Sequence, residues 1–262
     1  MNTYAILKWY QLSNITEVIG ELAIDRFELF KKNQEQTRIN PVVFNTQTEE
    51  KTNIVVDKNL SFVTKAEEIA QSSTSLIKLK QSLESFDSCS LKKTALNTFI
   101  GVGKQENPTV FCLFDAPKAQ AEKSGNLFDG PNGILMQKML AAIQLSPQNS
   151  FIAPLIPWRL PGDRKPTQTE ECICAPFIKK QIELVNPDFI LIFGAIPTRV
   201  LMGIESISKA RQQNLTYRLN DKNIPVIATF GPDLVSTSQT SRKNAWDDLK
   251  KLNQLIQEKI SN

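Results

Sequence analysis

The sequence contains no histidine. That absence excludes a histidine general base, a Ser-His-Asp triad and any imidazole metal ligand. Catalysis by this chain must rest on carboxylates, lysine, arginine, cysteine, tyrosine or backbone groups. Cysteine is scarce too. Cys89, Cys112, Cys172 and Cys174 include no C-x-x-C pair. They give neither a disulfide framework nor a zinc site, and read as reduced thiols of a cytoplasmic protein. No apolar run approaches the ~20 residues that cross a bilayer. The N-terminus lacks a charged, apolar, small-residue signal pattern, so neither membrane nor export is expected. The glycines form no Walker or dinucleotide fingerprint. Neither charge sign dominates: 31 basic against 27 acidic side chains leave +4, which permits a polyanionic partner without demanding one.

What is present is enough apolar residue, 41% of 262, to bury a core in one domain with a terminal extension, or at most in two small domains. Residues 2–31 carry helical periodicity through Leu7, Trp9, Tyr10, Leu12, Ile15, Val18 and Ile19. Residues 33–60 are polar and aperiodic and read as a flexible linker. The division expected is an N-terminal helical extension (1–32), the linker (33–60) and a folded domain (61–262). The tetrad Thr64-x-x-Glu67 predicts a helix start by a capping box, with the helix running to about Leu83. Four apolar runs follow: 110–114, 150–156, 188–194 and 224–231. They lack strict alternation and read as strands buried on both faces. Helical segments separate them, opening at Pro131, at the capping box Thr167-x-x-Glu170 and after Gly194, with a last one over about 241–260. This alternation predicts an α/β fold of three layers, α/β/α, around a central, mostly parallel four-stranded sheet.

Ligands of such sheets bind beyond the carboxyl ends of the strands. The rule selects 115–118, 157–165, 194–198 and 231–233. Asp115 can activate water or stabilise a developing cation; it can equally be a turn-forming cap. Phe128 lies between Gly125 and Gly130 and either stacks on a ligand ring or plugs the core. The run Trp158-Arg159-Leu-Pro-Gly-Asp-Arg164-Lys165 offers cations and an indole on a rigid loop. It suits phosphate contacts and base stacking, or is a solvated basic loop. Gly194 can admit an anion to a helix N-terminus or serve packing alone.

The stretch WRLPGDRKPTQTEECICAPFIKKQIELVNPDFILIFGA (158–195) resembles a block of the family-four uracil-DNA glycosylases, in particular a bacterial branch with an N-terminal helical extension. Ala116-Pro117, Gly125, Phe128, Gly130, Gly133, the run 139–143 and the run 224–230 match in order and spacing. The resemblance spans about 85–252 and, more faintly, 7–26. It implies the uracil-DNA glycosylase-like fold and removal of uracil, or another deaminated base, from single- or double-stranded DNA by base flipping.

Carried over residue by residue, the resemblance makes Asp115 the catalytic carboxylate, a shortened glutamate. Lys118 stands where the family has glycine, and Phe128 is the stacking ring. Pro154 falls at the family's base-reading asparagine and Gly231 at its leaving-group histidine. Ala116, Pro117, Lys118, Phe128, Pro154 and Gly231 thus form the substrate set, and Trp158, Arg159, Arg164 and Lys165 the DNA-binding set. The departures imply weakened or altered excision or, as the alternative, an inactive DNA-binding pseudoenzyme of the same fold. Lys118 can replace the histidine by charge, or act as a nucleophile when neutral. Many family members hold an iron–sulfur cluster on four cysteines. Here only Cys89 and Cys174 match, with Phe86 and Trp158 at the other two positions, so no cofactor and no metal are expected. Pro154 inside a buried strand predicts weakened hydrogen bonding there, with the chain leaving the ladder near Pro157.

Overall fold

The structure is a computed structural model that describes the backbone of residues 49–261 and the side chains of residues 60–261. The amphipathic segment 2–31 and most of the expected linker lie outside the described residues. The first described element is helix α1 (Glu49–Ser72). It corrects the expected helix start. Thr64 is no cap but an interior residue, and its hydroxyl donates back to the Leu60 carbonyl. The helix also runs through position 60, where the linker was expected to end. The chain breaks instead after Ser72. Helix α2 (Leu76–Glu84) starts afresh at Ser75, whose hydroxyl accepts from the Lys78 amide.

A short helix α3 (Ser90–Thr94) and strand β1 (Val102–Gly103) lead into β2 (Val110–Phe114). After β2 come α4 (Ala119–Ser124), α5 (Pro131–Ala141), β3 (Ser150–Pro154), α6 (Gln168–Val185), β4 (Phe189–Phe193), α7 (Ala195–Met202) and α8 (Ile207–Ala210). The chain closes with β5 (Leu215–Leu219), β6 (Lys222–Thr229), α9 (Pro232–Thr237) and α10 (Gln239–Ser261). The sheet order is β1-β3-β2-β4-β6-β5. Its four central strands are parallel and are the four apolar runs of the sequence. Two antiparallel edge strands, β1 on β3 and β5 on β6, bring the sheet to six. β5 alternates half-buried and exposed residues, as an edge strand with one wet face does.

Side chains alternate across the sheet with period two. Phe111 and Leu113 of β2, Ile190 and Ile192 of β4 and Val226 of β6 join one apolar cluster with Leu79, Leu83, Phe177 and Ile182. Val110, Cys112, Phe114, Leu191 and Phe193 join the other with Met136, Leu140, Leu249 and Leu252. Helices α1, α2 and α6 thus cover one face, and α5 and α10 the other: a three-layer α/β/α sandwich. The Thr167 capping box forms as the sequence predicts. Its hydroxyl accepts from the Glu170 amide, and the Glu170 carboxylate accepts from the Thr167 amide.

Pro154 distorts the ladder without ending the pairing. The next two amides, of Leu155 and Ile156, both donate to β2-side carbonyls, those of Phe114 and Asp115, at 2.7 and 2.9 Å. Regular strands alternate sides, so two successive amides donating to one neighbour mark an irregular step. The chain departs at Pro157, whose carbonyl accepts from Phe99.

Candidate active site

The chain order β2-β3 on one side and β4 on the other puts the topological switch beside β2, where open α/β sheets bind ligands. A cavity of about 330 Å³ opens there, beyond the ends of β2, β4 and β6. Three of the four loop segments picked from the sequence wall it: Asp115 to Lys118, Gly194 to Pro197 and Gly231 to Asp233. Leu127, Asn132, Gly133 and Met136 also line it, and Lys165 is the single contribution of the fourth segment. The walls are mostly apolar with a few convergent polar groups, the composition of a small-molecule site. Gly194 (φ +96°) lets the chain turn from β4 into α7, and beyond its chain neighbours no atom lies within 4 Å of where a Cβ would project.

Asp115 follows the last residue of β2, and its carbonyl is fixed by the Ile156 amide. Burial pushes its carboxyl above the usual carboxylate range. The Lys118 ammonium and the Ala116 amide oppose that shift, and the nearby Asp233 carboxylate adds to it. Lys118 Nζ lies 3.7 Å from Asp233 Oδ2. Asp233 Oδ1 accepts a hydrogen bond from Asn132 Nδ2. The cavity therefore holds a contacting set of Lys118, Asp233 and Asn132, with Asp115 on the same wall and within reach of their charges.

Not every residue picked from the sequence reaches this set. Phe128 is buried in the α5/α10 cluster and is not among the cavity walls, although its neighbour Leu127 is. Pro154 is buried within the sheet and also lies off the walls. Trp158, read as a nucleic-acid contact, is fully buried. It stacks on Phe86 at 6.4 Å with 7° between the rings, and its indole N–H donates to Thr98. A side chain so placed serves the core and offers no surface to a base. Arg159 pairs with Asp163 at 2.9 Å and with Glu122 at 3.5 Å. Arg164 grips Glu170 through both terminal nitrogens, at 2.9 and 2.7 Å. Two of the loop's three cations are thus already paired within the chain, which leaves Lys165 facing the cavity. Asn132 was not singled out from the sequence. A polar residue one step inside the helix that Pro131 opens was the signal available.

A family model described as the Uracil DNA glycosylase superfamily matches residues 100–250, more than half of the chain. The chain belongs to that superfamily. Among curated proteins, the type-4 uracil-DNA glycosylase of Sulfurisphaera tokodaii is 29% identical over 187 residues, covering 69% of this chain and 84% of the relative. That of Archaeoglobus fulgidus is 29% identical over 176 residues, 65% of this chain and 88% of the relative. That of Thermotoga maritima is 28% identical over 172 residues, 64% and 88%.

The region matched by this uracil DNA glycosylase superfamily runs from β1 through the first half of α10, and so holds the cavity described above. The four positions that the resemblance assigns to cluster ligands lie in one apolar cluster as two pairs, Phe86 with Trp158 and Cys89 with Cys174, and their chemistry does not fit an iron–sulfur cluster. Phe86 and Trp158 fill the space as stacked, fully buried rings. Phe177 packs edge-on against Phe86 at 5.3 Å. The two sulfurs left are both buried, and the Cys174 thiol is held well above its usual range by its hydrogen bond to Cys89 and by burial. Two thiols, one of them kept protonated, do not supply four thiolates. Among the described residues no helix is long and apolar enough to cross a membrane.

Proposed function

We propose that this chain is a DNA glycosylase of the uracil-DNA glycosylase type, releasing uracil or another deaminated base from DNA with weakened or altered activity. The observation that carries the reading is the position of Asp115. It is a carboxylate at the carboxyl end of a central strand, on the wall of a largely apolar cavity and within the field of the Lys118 ammonium. In this reaction the N-glycosidic bond breaks and its electron pair leaves with the base. The sugar becomes oxocarbenium-like. Water then adds to the anomeric carbon and gives up a proton. Asp115 is suited to stabilise the sugar cation and to take that proton. Lys118, paired with Asp233, serves as a cation that offsets charge on the departing base, in place of a histidine. Removing one such preorganised group commonly lowers turnover by about 10²–10³-fold. The cavity volume and its apolar walls suit a flipped base. Lys165 at the rim suits a phosphate. The relatives named above are type-4 uracil-DNA glycosylases, which favours uracil over other bases.

The test is base release from end-labelled single- and double-stranded oligonucleotides carrying uracil, hypoxanthine or xanthine, with alkaline cleavage of abasic sites. Release that disappears in Asp115→Asn supports the reading. No release from any substrate, with DNA still bound, returns the site to a pseudoenzyme that keeps the fold and a nucleic-acid surface.

A further inference from the structure

One amide in the cavity has no part in the reaction as set out above. Asn132 is the second residue of α5 and is half-buried. Its Nδ2 donates to Asp233 Oδ1, while Asp233 Oδ2 faces Lys118 Nζ. The helix start that carries it is tightly fixed. A Cβ on Gly133 would sit 2.4 Å from the carbonyl carbon and oxygen of Phe128, so α5 begins in van der Waals contact with the Phe128 backbone and cannot slide along it. With one N–H engaged by Asp233, Asn132 retains its carbonyl oxygen and a second N–H.

We propose that Asn132, oriented by Asp233, is the base-reading group of this cavity and selects an edge that presents a ring N–H beside a carbonyl. The inference rests on the glycosylase reading of the cavity. The chemistry is that of deamination. Replacing an exocyclic amine by a carbonyl turns the neighbouring ring nitrogen from an acceptor into a donor. Uracil, hypoxanthine and xanthine all carry the resulting edge: the N–H donates to Asn132 Oδ1, and the carbonyl accepts from Asn132 Nδ2. Cytosine and adenine present the reverse order. To accept them the amide would have to flip, which breaks its bond to Asp233 and turns Oδ1 toward that carboxylate. A polar group left unpaired once a bound base covers it is costly, and this is how hydrogen-bonding sites discriminate. Asp233 is on this account a positioning residue: it fixes which end of the amide meets the base.

The test uses the full chain carrying Asp115→Asn, so that bound strands stay intact, and fluorescence anisotropy with single-stranded oligonucleotides that differ only at one base, uracil or 3-methyluracil. Methylation at N3 removes the N–H and leaves the rest of the ring. The uracil strand is expected to bind about 10–100-fold more tightly. Adding Asn132→Ala should bring that ratio close to one. Asp233→Ala should lower it as well, whereas Asp233→Asn, which keeps an acceptor oxygen for Asn132, should largely restore it. A ratio near one with Asn132 present, or an unchanged ratio in Asn132→Ala, overturns the inference. Base release by the unsubstituted chain separates the two readings. Release without discrimination refutes the role of Asn132 alone, and discrimination without release refutes the reaction alone.

Discussion

Asp115 faces two opposed demands: burial favours its neutral form, and the chemistry assigned to it needs the anion. Its stability signature follows from the sign of the shift. With the folded-state pKa raised above the ordinary carboxylate value, the folded protein holds the proton more tightly than the unfolded chain. Below the ordinary value both states are protonated and nothing is lost. As pH rises from there through the raised folded value, stability falls; above that window the deficit is constant. Asp115→Asn keeps the shape and never ionises. Urea titrations should find it more stable than the native chain at pH 7, with the gap closing toward pH 3. Lys118→Gly removes the compensating cation, and single-turnover release should fall by about 10²–10³-fold. Unchanged release would leave Lys118 without a role. At this scale the sequence made Asp115, Ala116, Pro117, Lys118 and Gly231 legible, because each stands at the carboxyl end of a recognisable strand and lines the cavity. Trp158 was not legible as a core residue. An indole in a basic, proline-rich loop does not itself point inward; only the resemblance, which puts Trp158 and Phe86 at two of the four cluster positions, hinted at their pairing.

Secondary-structure elements show where local sequence decides and where it does not. Thr64 and Thr167 open the same Thr-x-x-Glu tetrad, yet only Thr167 caps a helix. Pro166 bars a helix from entering Thr167 from upstream, whereas nothing before Thr64 stops one. Thr167→Ala should therefore cost ~0.5–2 kcal/mol. Thr64→Ala, on an exposed face, should stay within about 0.5 kcal/mol. Paired denaturant curves check both. Trp158→Ala should cost about 3–5 kcal/mol, as a core truncation does; a loss of DNA affinity without loss of stability would contradict its placement. The four central strands were readable because burial on both faces makes them continuous apolar runs. The edge strands were harder. β1 is too short to carry a pattern, and the alternation in β5 is plain only once Asn220 and Asp221 are seen to be the turn into β6.

For the molecule as a whole, the question is how much of its charge can meet a phosphate backbone. The surplus over the whole chain is only +4, and Arg159 and Arg164 are already engaged by Asp163, Glu122 and Glu170. Glu170 feels burial, which disfavours its charge, but the Arg164 side chain and the Thr167 amide and hydroxyl outweigh it and hold its carboxyl below the usual range. These arginines brace the loop and the start of α6. Lys165→Ala should lower the salt dependence of DNA binding by about one phosphate's worth, a slope change near 0.9. Arg159→Ala should change it less. Anisotropy titrations across salt concentrations would show a larger effect at Arg159 if the loop's arginines, instead of Lys165, met the backbone.

The central claim is that the half-buried carboxylate of Asp115 drives base release, and the pH profile of single-turnover uracil release tests it most directly. The account predicts release that falls on the acid side, with a midpoint above the ordinary carboxylate range, and an Asp115→Asn protein that stays at background at every pH. Equal release by both proteins, or none by either, would contradict it.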